Sequence, residues 1–239
     1  MRKVISFSLW GDNPIYNIGA IKNAELAKVY YPDFDCWFYV HKETVPQSTI
    51  TTIEQIGNSR IIYKEGNLNE CKPMTWRFEA IDDSDVEIMM SRDTDTRIWE
   101  REVLAVREWL KSDKIFHIMR DHPDHVFYIL GGMFGTKKIP EIKNWREHIE
   151  LIYQYSNKMY DQDFLGNYIY PLIKDKALIH ASFNKWEIES QDFPILYNKD
   201  YNFVGEYVYQ DDSRSNSHIN QLINALSLNV NNNKVDDHI

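Results

Sequence analysis

The sequence predicts a single-domain α/β fold, with a mostly parallel, Rossmann-like sheet flanked by helices. Three observations predict it. Short apolar strand segments alternate with helix-periodic segments over about the first 90 residues. The 239 residues are 43% hydrophobic and 14% aromatic, enough for a sizeable core. No apolar run reaches the length of a membrane span, so the apolar residues are spread over short elements.

The first strand is read in KVISFSLWG (3–11), which runs into the loop Gly11-Asp12-Asn13-Pro14. Ile21, Ala24 and Ala27 have helical spacing over 19–30. DCWFYV (35–40) is the second strand, and Ile50, Ile53 and Ile56 mark a short helix after Pro46. RIIYK (60–64) is the third strand. Met74 and Phe78 predict a helix over 74–81, and VEIMM (86–90) is the fourth strand. Trp99, Val103, Val106 and Leu110 share one helix face.

Beyond these, KIFHIMR (114–120) is a strand, and VFYILGGMFG (126–135) is an apolar segment ending in a glycine-rich turn. Ile142, Trp145, Ile149 and Ile152 make another amphipathic stripe. KALIHASF (176–183) is a late strand or loop. The expected organisation is a first half at 1–97, a second half of the same domain at 98–209, and a polar tail at 210–239. That tail is expected to be loosely held, with a short helix at Ile219–Leu228. Trp76, Trp99, Trp109 and Trp145 lie at helical spacing and read as packing residues.

The formal net charge of −9 argues against nucleic-acid binding, which needs a basic footprint. Cys36 and Cys71 form no zinc pattern, and two isolated cysteines fit a reducing compartment. The N-terminal apolar run is too short for a signal-peptide core, so a cytoplasmic protein without a membrane span is expected. Neither GxGxxG after the first strand nor GxxxxGK[ST] occurs, which disfavours a dinucleotide enzyme and a P-loop NTPase.

Ligands of open α/β sheets sit at the carboxyl ends of the strands. There, after the fourth strand, SRDTDTR carries Asp93 and Asp95. Carboxylates at i and i+2 of an extended segment point to one side and suit a hard divalent ion. The same pair also fits a solvated turn, or a cap by Asp95 and Thr96 on the helix near Trp99. Ser8 and Leu9 end the first strand, and Tyr16 in the following segment is placed to stack on a base or to pack its own loop. Arg77 and Arg92 are candidate diphosphate contacts, or members of ordinary ion pairs. HIMRDHPDH (117–125) carries His117, His122 and His125, and its Arg120 and Asp121 read as acceptor-side or diphosphate residues, or as an ion pair between loop neighbours.

A D-x-D after the fourth strand of such a chain resembles the nucleotide-sugar glycosyltransferases of the GT-A fold, in particular the glycogenin-like retaining group. LGGMFG (130–135) is similar to that group's donor-sugar segment, YDQDFL (160–165) to its D-Q motif and HASFNKW (180–186) to its His…Lys-Trp element. The resemblance spans about residues 3–186. It implies Mn²⁺ or Mg²⁺ held by Asp93, Asp95 and His180, with Asp161 and Gln162 as catalytic, sugar-contacting residues. It further implies a diphosphate contact by Lys185 and a donor-sugar pocket at Gly131, Gly132 and Met133. Two features depart from the group's pattern. Its His motif has a Gly before the Lys and a Pro between Lys and Trp, whereas Lys185 and Trp186 are adjacent here. HIMRDHPDH has no counterpart there, and points to a separate branch of the kind found in large DNA viruses and bacterial surface-polysaccharide clusters.

The expected activity is transfer of a sugar from a UDP- or GDP-sugar, UDP favoured, to a glycan or glycoprotein acceptor. The D-Q motif leans towards retention, while Asp161 and Asp163 are both available as the general base of an inverting enzyme. Competing readings are a haloacid-dehalogenase-type phosphatase, although Arg97 stands where its motif needs a small residue, and a non-catalytic nucleotide-sugar-binding domain.

Overall fold

The protein is described by a computed structural model covering residues 1–68, 72–142, 144–155 and 161–233. Seven strands form one sheet: β1 (Arg2–Leu9), β2 (Phe34–His41), β3 (Ser59–Lys64), β4 (Val86–Ser91), β5 (Phe116–Arg120), β6 (Phe134–Lys137) and β7 (Ala177–Ala181). Their order is β3-β2-β1-β4-β6-β5-β7. β1, β2, β3 and β4 pair in parallel, β6 runs antiparallel to both its neighbours, and β5 pairs with β7 in parallel. β1, β4, β5 and β7 therefore point the same way and present their carboxyl ends on one edge.

The central strands are buried on both faces, as in a sheet covered by helices. Neighbouring residues enter opposite cores: Val4, Trp37 and Met89 one, Ile5, Phe38 and Met90 the other. The second core is covered by α1 (Pro14–Tyr30), α2 (Gln47–Ile56) and α3 (Glu100–Lys111). The first is covered by a 3₁₀ segment at Lys72–Asp82, by α4 (Trp145–Tyr155) and by α5 (Asp161–Phe164), which runs through a π turn at Leu165–Ile169 into α6 (Tyr170–Ile173). Trp76, Trp109 and Trp145 are core residues.

Several elements differ from expectation. α1 starts at Pro14 because the Asn13 side chain accepts a hydrogen bond from Ile15 N–H (3.0 Å) and proline suits the first turn. The 74–81 segment is 3₁₀ rather than α-helical. Neither Asp95 nor Thr96 caps α3: Trp99 occupies the N-cap without a side-chain bond, and Thr96 Oγ1 donates to the Asp93 carbonyl (2.9 Å). The glycine-rich turn leads into β6, a four-residue strand whose Gly135 lies under the Trp109 ring. KALIHASF resolves as β7.

Among the described residues, the polar segment 210–233 is tied to the rest of the fold. Val208 N–H donates to the Asp95 carbonyl (2.8 Å), and Arg97 binds both the Tyr209 carbonyl (3.1 Å) and Asp212 (3.2 Å). α7 (Asn216–Asn233) is longer than the short helix expected, being anchored by buried Leu222 and by His122 Nε2, which donates to the His218 carbonyl (2.9 Å). Cys36 is buried and free, and Cys71 lies outside the described residues. Among the described residues no helix is long and apolar enough to cross a membrane.

Candidate functional site

A cavity of about 520 Å³ opens at the carboxyl ends of β1 and β4. The sheet register explains its position. Ser6 pairs with Ser91, so the loop after β1 and the turn after β4 leave the sheet side by side. Ser8, Leu9 and Tyr16 line one side, and Asp93 and Asp95 another. Asp161 and Gln162 enter from the first turn of α5, and Gly131 from the turn before β6.

Arg77 organises the floor. Its guanidinium is almost fully buried, with Nη1 donating to Asp93 Oδ1 and Nη2 to Asp161 Oδ2 (2.9 Å). Its backbone N–H donates to Ser8 Oγ (3.0 Å), which ties the 3₁₀ segment to the end of β1. Burial works against the Arg77 charge, but Asp93 and Asp161 outweigh it and hold the arginine's pKa up. Burial raises the Asp161 pKa, and Arg77 pulls the other way.

The two glycines give this cluster its room. A Cβ on Gly131 would overlap Asp161 Oδ2 and the Arg77 guanidinium, and one on Gly132 would overlap the Asp93 carboxylate. Ser91 Oγ fixes the turn by donating to the Gly131 carbonyl (2.6 Å).

Three carboxylates face one guanidinium here, which leaves an excess of negative charge. Asp95 lies among these charges and is largely buried. Burial first, and Asp93 second, push its pKa up to about 7. A pair of oxygen donors whose charges disfavour one another is the donor set that a hard divalent cation relieves. Asp93 and Asp95 therefore fit such an ion. Tyr16 lines the cavity beside them, and its pKa is raised by burial first and then by Asp95.

Other residues singled out in the sequence lie elsewhere. His180 is fully buried on β7, with Nδ1 2.8 Å from His117 Nε2 and Nε2 within reach of Glu108 (3.0 Å) and Gln191 (3.1 Å). It does not line the cavity. Among the described residues no group of three His, Cys, Asp or Glu is arranged to hold a metal. His180 thus stands apart from Asp93 and Asp95 and does not complete the expected three-ligand set.

Lys185 is exposed and pairs with Asp192 (2.7 Å). Arg92 is buried against Glu102 (2.8 Å) and the Phe134 carbonyl (2.9 Å), so it offers nothing to a diphosphate. Arg120 is buried and paired with Glu187. Asp121 is fully buried, accepting from Arg101 (2.8 Å), Ser182 (2.7 Å), Tyr197 (2.8 Å) and Val204 N–H (2.9 Å). It holds the 197–204 segment onto the end of β5 and does not line the cavity. Met133 is buried and packs against Gly205 rather than lining the cavity.

Trp10, Met74, Thr94, Thr96, Gly205 and Tyr207 also line the cavity and were not foreseen as site residues. Trp10 follows β1 directly, which is the signal that was open to reading. Met74 and Tyr207 carry no motif, and only the folded chain brings them there.

No protein-family model matches the chain, and no curated protein matches it in sequence. Solved structures do resemble it. The galactosyltransferase LgtC, in complex with donor and acceptor sugar analogs, is 17% identical over 73% of this chain and 72% of its own, at a TM-score of 0.46. A glycosyltransferase involved in glycosylation of the major capsid of PBCV-1 is 15% identical over 76% of this chain and 82% of its own, at 0.47. The 4-diphosphocytidyl-2C-methyl-D-erythritol synthase of Anaerococcus prevotii is 13% identical over 80% and 92%, at 0.50. Identities this low bear on the fold alone, and the last match carries that likeness. The chain is a mostly parallel, helix-flanked α/β sheet, and it shares that fold with the last match.

Proposed function

We propose that this chain is a metal-dependent glycosyltransferase that takes its sugar from a nucleotide-sugar donor. The observation that carries the reading is the cavity floor. Asp93 and Asp161 converge on Arg77 where β1 and β4 end, with Asp95 on the same cavity wall and Gly131 leaving space beside them. Asp93 and Asp95 would hold the cation. When bound, a divalent cation supplies Lewis-acid stabilisation of the charge that develops on a departing diphosphate.

The remaining roles follow from position. Trp10 just after β1 and Tyr16 in the first turn of α1 offer aromatic faces for a base, and a volume of about 520 Å³ suits a nucleotide-sized ligand. Asp161 and Gln162 lie on the α5 side and are assigned to the transferred sugar. Arg77 fixes the Asp161 carboxylate (2.9 Å) and limits its motion during turnover. Asp93 is tied to the Arg77 guanidinium, an arrangement that suits a ligand-holding carboxylate better than a phosphatase nucleophile.

Nucleotide-sugar binding with and without Mn²⁺ tests the reading. UDP- and GDP-sugars are titrated by calorimetry into the wild type and Asp95→Asn. The substitution suits the fold, because burial and Asp93 already disfavour the charge at this position. The expected result is Mn²⁺-dependent binding of one donor class, lost in the variant, with slow release of free nucleotide from the bound donor. Binding that ignores both the metal and the substitution would overturn the reading. Metal-dependent binding without any transfer or hydrolysis would favour a binding domain.

A further inference from the structure

The loop after β5 and the loop after β7 meet in a cluster of three aromatic rings. Tyr128 stacks on Tyr170 at 4.3 Å and 17°, and meets the Trp186 ring edge-on at 5.0 Å and 68°. Tyr128 and Trp186 are 48% and 45% exposed, so the cluster presents aromatic surface to solvent. A buried charge orders them. Arg120 lies fully buried under the Trp186 ring at 4.6 Å, donates to the Tyr128 carbonyl (2.9 Å), and pairs with Glu187. Glu187 accepts in turn from Tyr170 Oη (2.7 Å) and Ser190 Oγ (3.0 Å).

The cluster lies on the same sheet edge as the cavity. β5 and β7 point the same way as β4, and β5 lies two strands from it, which is about 10 Å across the sheet. The chain links the two places as well. Tyr128 is three residues before Gly131 on the cavity wall, and Tyr170 follows the π turn on the helix that begins with Asp161.

We infer that Tyr128, Tyr170 and Trp186 form the acceptor platform, and that the acceptor is a neutral oligosaccharide laid along this edge towards the cavity. This rests on the glycosyltransferase reading above. A pyranose has an apolar C–H face and a rim of hydroxyls. The flat aromatic faces of the platform match the first, and the polar rim beside them, where Tyr170 Oη already donates to Glu187 (2.7 Å), is where the hydroxyls would lie. An anionic partner is poorly served, because both cations at the platform are already paired, Arg120 with Glu187 and Lys185 with Asp192 (2.7 Å). A fixed platform also costs a ligand little ordering entropy.

The test uses the full chain on a printed array of neutral oligosaccharides, with Mn²⁺ and the nucleotide that binds best, followed by calorimetry on the hits. Trp186→Ala and Tyr128→Ala are expected to weaken oligosaccharide binding about tenfold or more, while Trp186→Phe keeps most of it. Nucleotide-sugar affinity in the presence of Mn²⁺ should stay within about twofold in all three. Should Trp186→Ala fail to fold, Tyr128→Ala and Trp186→Phe carry the comparison. Three results would overturn the platform: wild type binding no oligosaccharide, variants binding as wild type does, or a wild-type dimer in light scattering that Trp186→Ala dissociates. The last result would assign the face to a second copy of the chain. Loss of wild-type nucleotide-sugar binding would instead remove the reading on which the platform rests, so the two failures are separable.

Discussion

Arg77 and Asp161 meet at 2.9 Å although 84 residues separate them in the chain. Since Arg77 also holds Asp93 and reaches the Arg92 carbonyl (3.2 Å), one guanidinium keeps the 3₁₀ segment, the turn after β4 and the start of α5 in register.

Arg77→Met should therefore cost more than a lost surface ion pair. The side chain keeps its length, but buried Asp161 loses its partner. A loss of about 3 kcal/mol is expected in chemical denaturation. Adding Asp161→Asn should recover a large part of it, since the unpaired charge is then gone. An additive double-mutant cycle would show that the two residues do not act together.

Gly131→Ala tests the close approach at the cavity wall. Its Cβ overlaps Asp161 and Arg77, so stability should fall by about 1–3 kcal/mol and nucleotide-sugar binding should weaken. Gly166→Ala is the control, because a Cβ there meets nothing. Thermal melts and calorimetry of both variants check this.

His180→Ala should separate stability from metal binding. The histidine is buried with His117, Glu108 and Gln191, so its loss should cost about 2–4 kcal/mol. Mn²⁺ affinity should be unchanged. A tenfold loss of Mn²⁺ affinity in a folded variant would return His180 to the ligand set.

The pH dependence of one buried histidine has a defined sign. His125 Nδ1 accepts from Asp121 N–H (2.9 Å) and His122 N–H (3.1 Å), and burial first, then His122, push its pKa down to about 3. The unfolded chain protonates this group below its ordinary value near 6.5, whereas the folded chain does not. Its contribution is full above about pH 6.5 and is lost as pH falls towards 3. The stability gap between wild type and His125→Asn should thus shrink on acidification, by up to about 1.4 kcal/mol per pH unit. The comparison isolates this residue from Asp95, whose raised pKa acts with the opposite sign. Denaturation of both proteins between pH 8 and pH 4 measures the gap.

The strand–helix alternation of the first 91 residues was legible because each apolar run is bounded by turn residues and matches one period. β6 was not, because a four-residue strand containing Gly135 has no period to read. Ser8, Leu9, Tyr16, Arg77, Asp93, Asp95, Gly131, Asp161 and Gln162 were all named from sequence, and they line one cavity. The arginines divide by partner rather than by motif. Arg77 reaches the cavity, whereas Arg92 is neutralised by Glu102 ten residues away and Arg120 by Glu187 across the fold. Nothing in a single sequence says which carboxylate an arginine will meet. His180 was misplaced for the same reason, since its partner Glu108 sits on a helix whose rotation only packing decides.

The cavity draws its walls from Ser8 at one end of the chain and Tyr207 near the other, with the antiparallel β6 inserted between them. During synthesis the first four parallel strands emerge well before the residues that close the pocket, and long-range pairing of this kind forms late. The donor affinity proposed above is therefore expected of the finished molecule alone. A nascent or truncated chain ending before α5 lacks β7 and is expected to have no grip on a nucleotide-sugar, so protection from proteolysis by a bound nucleotide would report complete folding in a single reading.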